Sequence, residues 1–181
     1  MPLPEIHKVE LLAQTRFFKI ESMDLEFSNG VTRVYERLPA VGTEGVIVVA
    51  VNDYDELLLI REYCAGFHEM QLTLPKGLAE PGETIEEASN REIAEEIGHA
   101  ARDIQFVKRL TLAPGHMGFT INVMCARGLY PHRLPADEPE LPEVVRWPLA
   151  EMDALINSED FNEARAIAAL ILCRPLLTNP W

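Results

Sequence analysis

The chain has 181 residues, of which 48% are hydrophobic and 25% are charged, and its formal net charge is −13. These values fit one globular domain with room for a small appendage, and they exclude a disordered or fibrous chain. A chain this acidic lacks the basic surface that nucleic acids and anionic membranes bind, so we expect neither as a partner.

The cysteines and the N-terminal stretch bear on the cellular compartment. Cys64, Cys125 and Cys173 lie far apart and form no C-x-x-C pair, so we expect them to be buried thiols. Residues 1–14 show no basic segment followed by an apolar run, and no stretch of the chain is long and apolar enough to span a membrane. We therefore expect a cytoplasmic protein.

The chain begins with a pattern that is typical of a β-hairpin. Residues 16–27 and 31–38 are rich in strand-forming residues, and an Asn29-Gly30 pair lies between them. Asn-Gly between two such runs is a strong hairpin signal. We therefore expect an N-terminal β-hairpin extension, spanning residues 1–40.

The rest of the chain, residues 41–181, is expected to form the main domain. Near-continuous apolar runs at 45–51 and 57–61 predict strands that are covered on both faces. The later elements are expected as strands at 70–74, 104–112, 119–126 and 144–147, loops at 113–118 and 128–143, and helices at 149–156 and 162–173, with Pro175 ending or kinking the last helix. This order fits an α/β domain in which helices flank a mixed sheet.

The stretch Gly77 to His99 predicts a loop followed by a helix with a marked start and end. Thr84 followed three residues later by Glu87 is a capping-box pattern. The following residues contain no Pro or Gly until Gly98, which lies where a helix C-terminus is expected.

Three carboxylates on this helix form a candidate metal site. Glu92, Glu95 and Glu96 are spaced i, i+3 and i+4, so they project from one face. Like charges at this spacing repel by roughly 0.2–0.5 kcal/mol per pair, and a divalent cation would reverse that interaction. Oxygen-only ligands suit Mg²⁺. The alternative interpretation is a solvated acidic helix that binds nothing.

The order of these residues resembles the signature of the Nudix hydrolases. That signature is Gly, five residues, Glu, seven residues, Arg-Glu, an apolar residue, any residue, Glu-Glu, any residue, Gly and an apolar residue. The matching positions are Gly77, Glu83, Arg91, Glu92, Ile93, Glu95, Glu96 and Gly98. His99 alone departs from the pattern, at a position that is usually apolar.

The resemblance implies a fold and an assembly. It covers about residues 45–173 and implies the α/β/α sandwich of that family, with a mixed sheet. Residues 1–40 resemble the N-terminal β-hairpin extension of the ADP-ribose and ADP-sugar branch. In that branch the extension serves dimerisation, so the resemblance implies a homodimer.

The resemblance also implies roles for residues of the helix. Glu92 and Glu96 would be the principal ligands of Mg²⁺, with Mn²⁺ as an alternative ion. Glu95 would be a further ligand or an organiser of metal-bound water, and a backbone carbonyl at Lys76 or Gly77 would add another oxygen. The structural residues of the signature would be Gly77, Gly98, Glu83 and Arg91, the last two joined by a salt bridge.

Members of that branch take their general base from a late flexible loop, which corresponds here to residues 136–140. Glu138 is the first candidate for the base and Glu140 the second, and Glu95 becomes the candidate if neither serves. The alternative interpretation is that this loop is only an acidic, solvated run.

Candidate substrate-binding residues lie in two places. Arg61 directly follows an apolar strand and could reach a phosphate, although an exposed Arg at a strand end is common. In the hairpin, the candidates for contact with an adenosine are Arg33, Glu36, Arg37, Phe17 and Phe18. The two aromatic residues could instead be simple packing residues.

These resemblances imply a hydrolase that cuts the pyrophosphate bond of ADP-linked compounds to AMP and X-phosphate. A proline-containing loop at 112–115 is similar to one in the ADP-ribose branch. That branch commonly has Glu-Leu-Pro-Ala-Gly before the signature, whereas residues 73–77 here read Thr-Leu-Pro-Lys-Gly. The departure argues against strict specificity for ADP-ribose. The resemblance over most of the chain implies broader substrates, namely ADP-ribose, diadenosine polyphosphates and NADH. The alternatives are a nucleoside triphosphate pyrophosphatase and a non-catalytic sensor of ADP-ribose-type metabolites.

Overall fold

A computed structural model describes residues 1–40, 42, 44–136 and 139–178. The chain divides into two units. The first comprises Met1–Gly42 with Thr111–Thr120, and the second comprises Thr43–Leu110 with Ile121–Trp181. Within the described ranges, none of the helices combines the length and apolarity needed to cross a membrane.

The first unit is a three-stranded antiparallel sheet in the order β1-β2-β3, formed by β1 (Glu5–Gln14), β2 (Lys19–Glu26) and β3 (Thr32–Arg37). The predicted hairpin is present as β2 and β3, but β1 was not expected. Its pairing with β2 shifts register between Ile6 and Lys8 and again beyond Leu11. These irregularities break the two-residue alternation by which a strand is identified from sequence.

The turn between β2 and β3 explains why a glycine follows Asn29. The Gly30 N–H donates to the Phe27 carbonyl at 2.8 Å, and the Phe27 N–H donates to the Val31 carbonyl at 2.9 Å. Gly30 has φ +77°, a left-handed conformation that costs glycine little. Asn29 does not share it, so this is a turn closed by a left-handed glycine rather than a two-residue type I′ turn.

The second unit contains two sheets. The four-stranded sheet has the order β7-β4-β9-β8, and the three-stranded sheet has the order β10-β5-β6. Their strands are β4 (Gly45–Ala50), β5 (Glu56–Cys64), β6 (Glu69–Thr73), β7 (Lys76–Leu78), β8 (His99–Thr111), β9 (Thr120–Pro131) and β10 (Glu143–Pro148). Strand β4 pairs parallel to β9 and antiparallel to β7, so the larger sheet is mixed, as expected.

Strands β7, β8 and β9 depart from the sequence expectations. Strand β8 begins at His99 rather than near residue 104, because the small buried residues Ala100 and Ala101 give a weak strand signal. Strand β9 continues past Gly128, which has φ +62° and lies inside the strand rather than ending it. The loop expected at 128–143 is therefore shorter. A short strand, β7, occupies a position where a loop was expected.

Two helices of the second unit, the first and the last, pack against β4. The helices of this unit are α1 (Ile85–Glu96), α2 (Met152–Ile156), which follows a 3₁₀ turn at Leu149–Glu151, and α3 (Ala164–Leu177). Both α1 and α3 contact β4, and every residue of that strand is buried. The predicted coverage of both faces is thus confirmed. Pro175 does not end α3, which continues to Leu177.

One buried cluster joins α1 to the sheets. Val46 and Val48 of β4 pack with Ile93 of α1 and with Leu58 and Ile60 of β5. The helix that carries the acidic residues is therefore fixed on the core through its opposite, apolar side. The three cysteines are free thiols, two of them buried, while Cys64 is only partly covered.

Candidate active site

Helix α1 begins and ends where the sequence predicts. The Thr84 hydroxyl accepts a hydrogen bond from the Glu87 N–H at 3.2 Å, and the Glu87 carboxylate accepts one from the Thr84 N–H at 2.9 Å. This reciprocal pair is a complete capping box. After the last helical turn, Gly98 has φ +71°, the left-handed conformation that follows many helix ends.

The carboxylates of Glu92 and Glu96 are buried, with only 8% and 3% of each residue exposed. The Glu96 Oε2 atom accepts a hydrogen bond from the Lys76 N–H at 3.0 Å, so the last turn of α1 is tied to the start of β7. Glu95 lies beside them, with 17% of its side chain exposed. These three positions are therefore not a solvated acidic face, and Glu96 is not the surface carboxylate that an exposed helix would carry.

Gly77 permits the close approach of Glu92 to the backbone of β7. A Cβ atom built on Gly77 would lie 2.0 Å from Glu92 Oε1 and 2.4 Å from Glu92 Oε2, well inside van der Waals contact. Gly77 thus forms a cradle for the Glu92 carboxylate. This contact is a physical reason for a glycine at that position, which the spacing of the signature alone does not give.

Arg91 ties the loop to the helix. Its guanidinium makes paired hydrogen bonds with the Glu83 carboxylate, both at 3.0 Å, and donates to the Leu78 carbonyl at 2.8 Å. The same group donates to Glu92 Oε1 at 2.8 Å and to Glu95 Oε2 at 3.1 Å. The expected salt bridge is present, and Arg91 also offsets the repulsion between two helix carboxylates.

Hydrogen bonding and charge move the pKa values of this ion pair apart. Hydrogen bonds with Glu83 raise the pKa of Arg91. Burial acts to raise the pKa of Glu83, but the hydrogen bonds from Arg91 and from the Glu80 N–H outweigh it and lower that pKa. Both side chains therefore stay charged near neutral pH, and the pair remains intact there.

Burial raises the pKa of Glu96 to about 9, with Lys76 opposing the shift and Glu92 adding to it. A cation close to Glu96 would favour its ionised form. Among the described residues, no group of three His, Cys, Asp or Glu side chains is already arranged to hold a metal ion. The buried, oxygen-only donors Glu92 and Glu96 nevertheless fit a hard divalent ion.

The structure describes only one of the two candidate general bases in the late loop, residues 136–140. Glu138, the first candidate, lies outside the described residues, and Glu140 is exposed. The chain that leads toward them passes the C-terminal end of α1. There the Leu134 N–H donates to the Ala94 carbonyl at 3.2 Å, and Arg133 Nη1 donates to the Glu95 carbonyl at 3.3 Å.

Arg61, the expected phosphate contact, forms an ion pair with Asp160. Its two terminal nitrogens donate to the two Asp160 carboxylate oxygens at 3.0 and 2.6 Å. Sequence reasoning considered only the backbone of Lys76, yet its ammonium group forms an ion pair with Glu62 beside α1. No periodicity links those two positions, because they lie on different strands, β7 and β5.

The hairpin candidates all lie in the first unit. Phe17 and Phe18 are exposed by 74% and 58%, so they are not core residues of the sheet that the structure describes. Arg33 is exposed and donates to a neighbouring carbonyl, and Glu36 is also exposed. Arg37 forms an ion pair with Glu21 at 2.9 Å.

The fold and the carboxylate-bearing helix define the class of protein. The sequence model of the NUDIX domain family matches residues 43–170, so the chain belongs to the Nudix hydrolase family. Enzymes of this family generally need a divalent metal. The resemblance that the Gly77–Gly98 positions suggested is thus confirmed.

Further comparisons indicate which Nudix hydrolases the chain resembles. Residues 4–37 match the NudE-type Nudix hydrolase N-terminal domain. The chain is 49% identical to the ADP compounds hydrolase NudE of Escherichia coli (strain K12), over 96% of this chain and 93% of that protein. A solved structure described as the crystal structure of ADP compounds hydrolase superposes with a TM-score of 0.94 at 48% identity, covering 98% of this chain and 95% of that one.

The chain also resembles a more distant relative. The ADP-ribose pyrophosphatase of Bacillus subtilis (strain 168) is 26% identical, over 81% of this chain and 80% of that protein.

Proposed function

We propose that this protein hydrolyses the pyrophosphate bond of ADP-linked compounds, yielding AMP and X-phosphate. The observation that carries this proposal is the buried Glu92–Glu96 pair on α1. Glu92 lies against Gly77 and bonds to Arg91, while Glu96 bonds to the Lys76 N–H. The similarity to the E. coli ADP compounds hydrolase NudE over nearly the whole chain supports an ADP-linked substrate. ADP-ribose, diadenosine polyphosphates and NADH are the proposed substrates.

Mg²⁺ is the proposed cofactor, with Mn²⁺ as a substitute. Glu92 and Glu96 would hold it, together with Glu95 and a backbone carbonyl at Lys76 or Gly77. When bound, the ion supplies neutralisation of phosphate charge and activation of a water nucleophile. The donor set supports this choice, because carboxylate and carbonyl oxygens are the ligands that such hard ions prefer.

The side chains of this chain would then place the reacting groups. Arg91 keeps the Glu92 and Glu95 carboxylates in position through its hydrogen bonds. Glu138 is the proposed general base and Glu140 the second candidate, with Glu95 serving if neither does. A general base must lie within hydrogen-bond reach of the attacking water. Leu134, four residues before Glu138 in the sequence, bonds to the Ala94 carbonyl in the last turn of α1.

The N-terminal unit has a separate proposed role. We propose that residues 1–40 form a dimerisation extension and that residues 41–181 form the catalytic domain of a homodimer. Exposed apolar residues on the three-stranded sheet support this, among them Ile6, Val9, Leu11 and Val34. Candidates for contact with the adenosine of a substrate are Phe17, Phe18, Arg33, Glu36 and Arg37, with Arg61 as a candidate phosphate contact.

The three free cysteines support a cytoplasmic location, because thiols persist in a reducing compartment.

Product analysis tests the proposed function directly. The protein would be incubated with Mg²⁺ and one of ADP-ribose, NADH, diadenosine triphosphate or dGTP, and the products separated by chromatography. The proposal expects AMP from the first two compounds and an AMP-containing product pair from the third. Turnover of dGTP alone would instead indicate a nucleoside triphosphate pyrophosphatase, and binding of ADP-ribose without turnover would indicate a sensor.

A variant of Glu96 tests the metal assignment. Glu96→Gln keeps an oxygen to accept the hydrogen bond from the Lys76 N–H but removes the charge. We expect loss of metal-dependent turnover with a folded protein, since glutamine has the same size and lacks the charge whose burial costs free energy. Circular dichroism checks the fold. Unchanged activity at saturating Mg²⁺ would show that Glu96 is not a ligand.

A further inference from the structure

The side chain of Lys76 forms an enclosed ion pair beside the carboxylates of α1. Its ammonium group donates a hydrogen bond to Glu62 Oε1. The exposed fractions of the two side chains are only 13% for Lys76 and 23% for Glu62. An ion pair this enclosed loses much of its hydration, so it is weak evidence for a purely stabilising role.

The backbone fixes the base of this side chain at the candidate metal site. The Lys76 N–H donates to Glu96 Oε2 at 3.0 Å, and the next residue, Gly77, lies against the Glu92 carboxylate. The Lys76 side chain therefore starts next to both proposed metal ligands. Glu62, on β5, binds the far end of the Lys76 side chain. In the pairing of β5 with β6, Glu62 lies opposite Gln71.

Arg91, the cation between the carboxylates of α1, has its hydrogen-bond donors in use. It makes five hydrogen bonds to protein oxygens, as many as a guanidinium has N–H groups. An ammonium group has three donors, and for Lys76 one of them goes to Glu62. Lys76 can therefore keep its bond to Glu62 and donate to a second anion at the same time.

We propose that Lys76 is a substrate-binding residue whose ammonium group donates to a phosphate oxygen of the substrate, with Glu62 as the positioning residue that orients it. This inference rests on the proposed function, because it assumes a substrate with a pyrophosphate group. The site carries the acidic residues Glu62, Glu92, Glu95 and Glu96, so a fixed positive charge there lowers the electrostatic barrier to a phosphate.

Binding of a non-hydrolysable substrate analogue tests the proposal without depending on turnover. ADP-ribose with a methylene group in place of the bridging oxygen would be titrated by calorimetry at a fixed Mg²⁺ concentration. We expect Lys76→Met to weaken its binding by roughly 10- to 100-fold, the usual worth of a hydrogen bond to a charged group. Lys76→Arg, which keeps the charge, should recover most of the affinity.

Glu62→Gln separates substrate binding from a structural tie between strands. It removes one negative charge but keeps a side-chain oxygen that can still orient the Lys76 ammonium group, so we expect affinity for the analogue to stay within about twofold of wild type or to increase. If the ion pair only joined β5 to β7, both variants would lower the thermal unfolding temperature alike and neither would weaken binding selectively. That result would overturn the proposal.

Lys108→Met provides a matched control, because Lys108 is an exposed lysine of β8 in the same unit. Lys108→Met should bind the analogue as wild type does. If it loses as much affinity as Lys76→Met, the loss comes from the change in overall charge, and the proposal is wrong. Hydrolysis of ADP-ribose by the wild-type protein, measured in parallel, separates the Lys76 inference from the proposed function. If wild type hydrolyses ADP-ribose and Lys76→Met binds the analogue normally, only the Lys76 inference fails.

Discussion

Replacing Gly77 with alanine should separate activity from stability. The new Cβ atom would lie 2.0 Å from Glu92 Oε1, where ordinary van der Waals contact begins at 3.4 Å. The carboxylate must therefore retreat by about 1.4 Å, the difference between those two distances. The atoms in conflict are the far end of a side chain that can rotate, so the backbone of β7 need not move.

Gly77→Ala should change the stability of the protein little and its catalytic rate strongly. Gly77 does not have a positive φ, so alanine can adopt its backbone conformation. Such a substitution stabilises by about 0.4–1 kcal/mol through the unfolded state, which should offset part of the strain. Displacement of a catalytic group by about 1 Å costs on the order of 10²-fold in rate. We therefore expect kcat/KM to fall by roughly 100-fold with a nearly unchanged unfolding temperature.

Steady-state kinetics over a range of Mg²⁺ concentrations, with thermal denaturation beside them, measure both quantities. Gly66→Ala is the matched control, because a Cβ there meets nothing within 4 Å. Combining Gly77→Ala with Glu92→Asp shortens the displaced side chain by one methylene and should restore part of the activity. If Gly77→Ala alone keeps its activity within about threefold and an unchanged Mg²⁺ requirement, the cradle does not position Glu92 for catalysis.

Three further predictions concern the ion pair, the late loop and the assembly. Glu83 has a lowered pKa, so its contribution to stability is full above the unfolded-state pKa and is lost as pH falls through the folded-state value. Glu83→Gln, which weakens the bond to Arg91, should lower the free energy of unfolding by about 1–3 kcal/mol at pH 7 and by progressively less in acid, as measured by urea denaturation. If Glu138 is the base, Glu138→Gln should reduce kcat by roughly 10²–10⁴-fold with little change in KM, and Glu140→Gln far less; activity within a few-fold for both variants would count against the loop. Light scattering should report a dimer for the full chain and a monomer after removal of residues 1–40, whereas a monomeric full chain would exclude the proposed assembly.

The helix and its charged face could be predicted from the sequence because their signals are local. A capping box, a helix without Pro or Gly, and a left-handed glycine each act within a few residues, and Thr84, Glu87 and Gly98 behave as their local chemistry requires. The spacing of Glu92 and Glu96 likewise places both side chains on one face. That they are buried could not be read from the spacing, since an exposed acidic helix has the same pattern.

The elements that the sequence did not predict depend on contacts between distant segments. Strand β1 pairs with β2 across two register shifts, so its apolar residues follow no strict alternation. Strand β9 includes Gly128 in a left-handed conformation, and a glycine of that kind usually indicates the end of a strand. The pairs Arg61–Asp160 and Lys76–Glu62 join residues on different elements, and nothing near either residue in the chain indicates its partner.

The hydrogen bonds of Arg91 explain how one helix turn can hold three carboxylates before any cation is bound. Its Nη1 atom lies between Glu92 Oε1 and Glu95 Oε2, while Nε and Nη2 are anchored on Glu83. A guanidinium fixed on one side by a carboxylate has little freedom on the other, so it holds both helix carboxylates in a defined geometry. Glu96, which Arg91 does not reach by any of these bonds, is held instead by the N–H of Lys76. Preorganisation of the site thus rests on two anchors, the loop residue Glu83 and the backbone of β7, each of which can be tested separately from the carboxylates themselves.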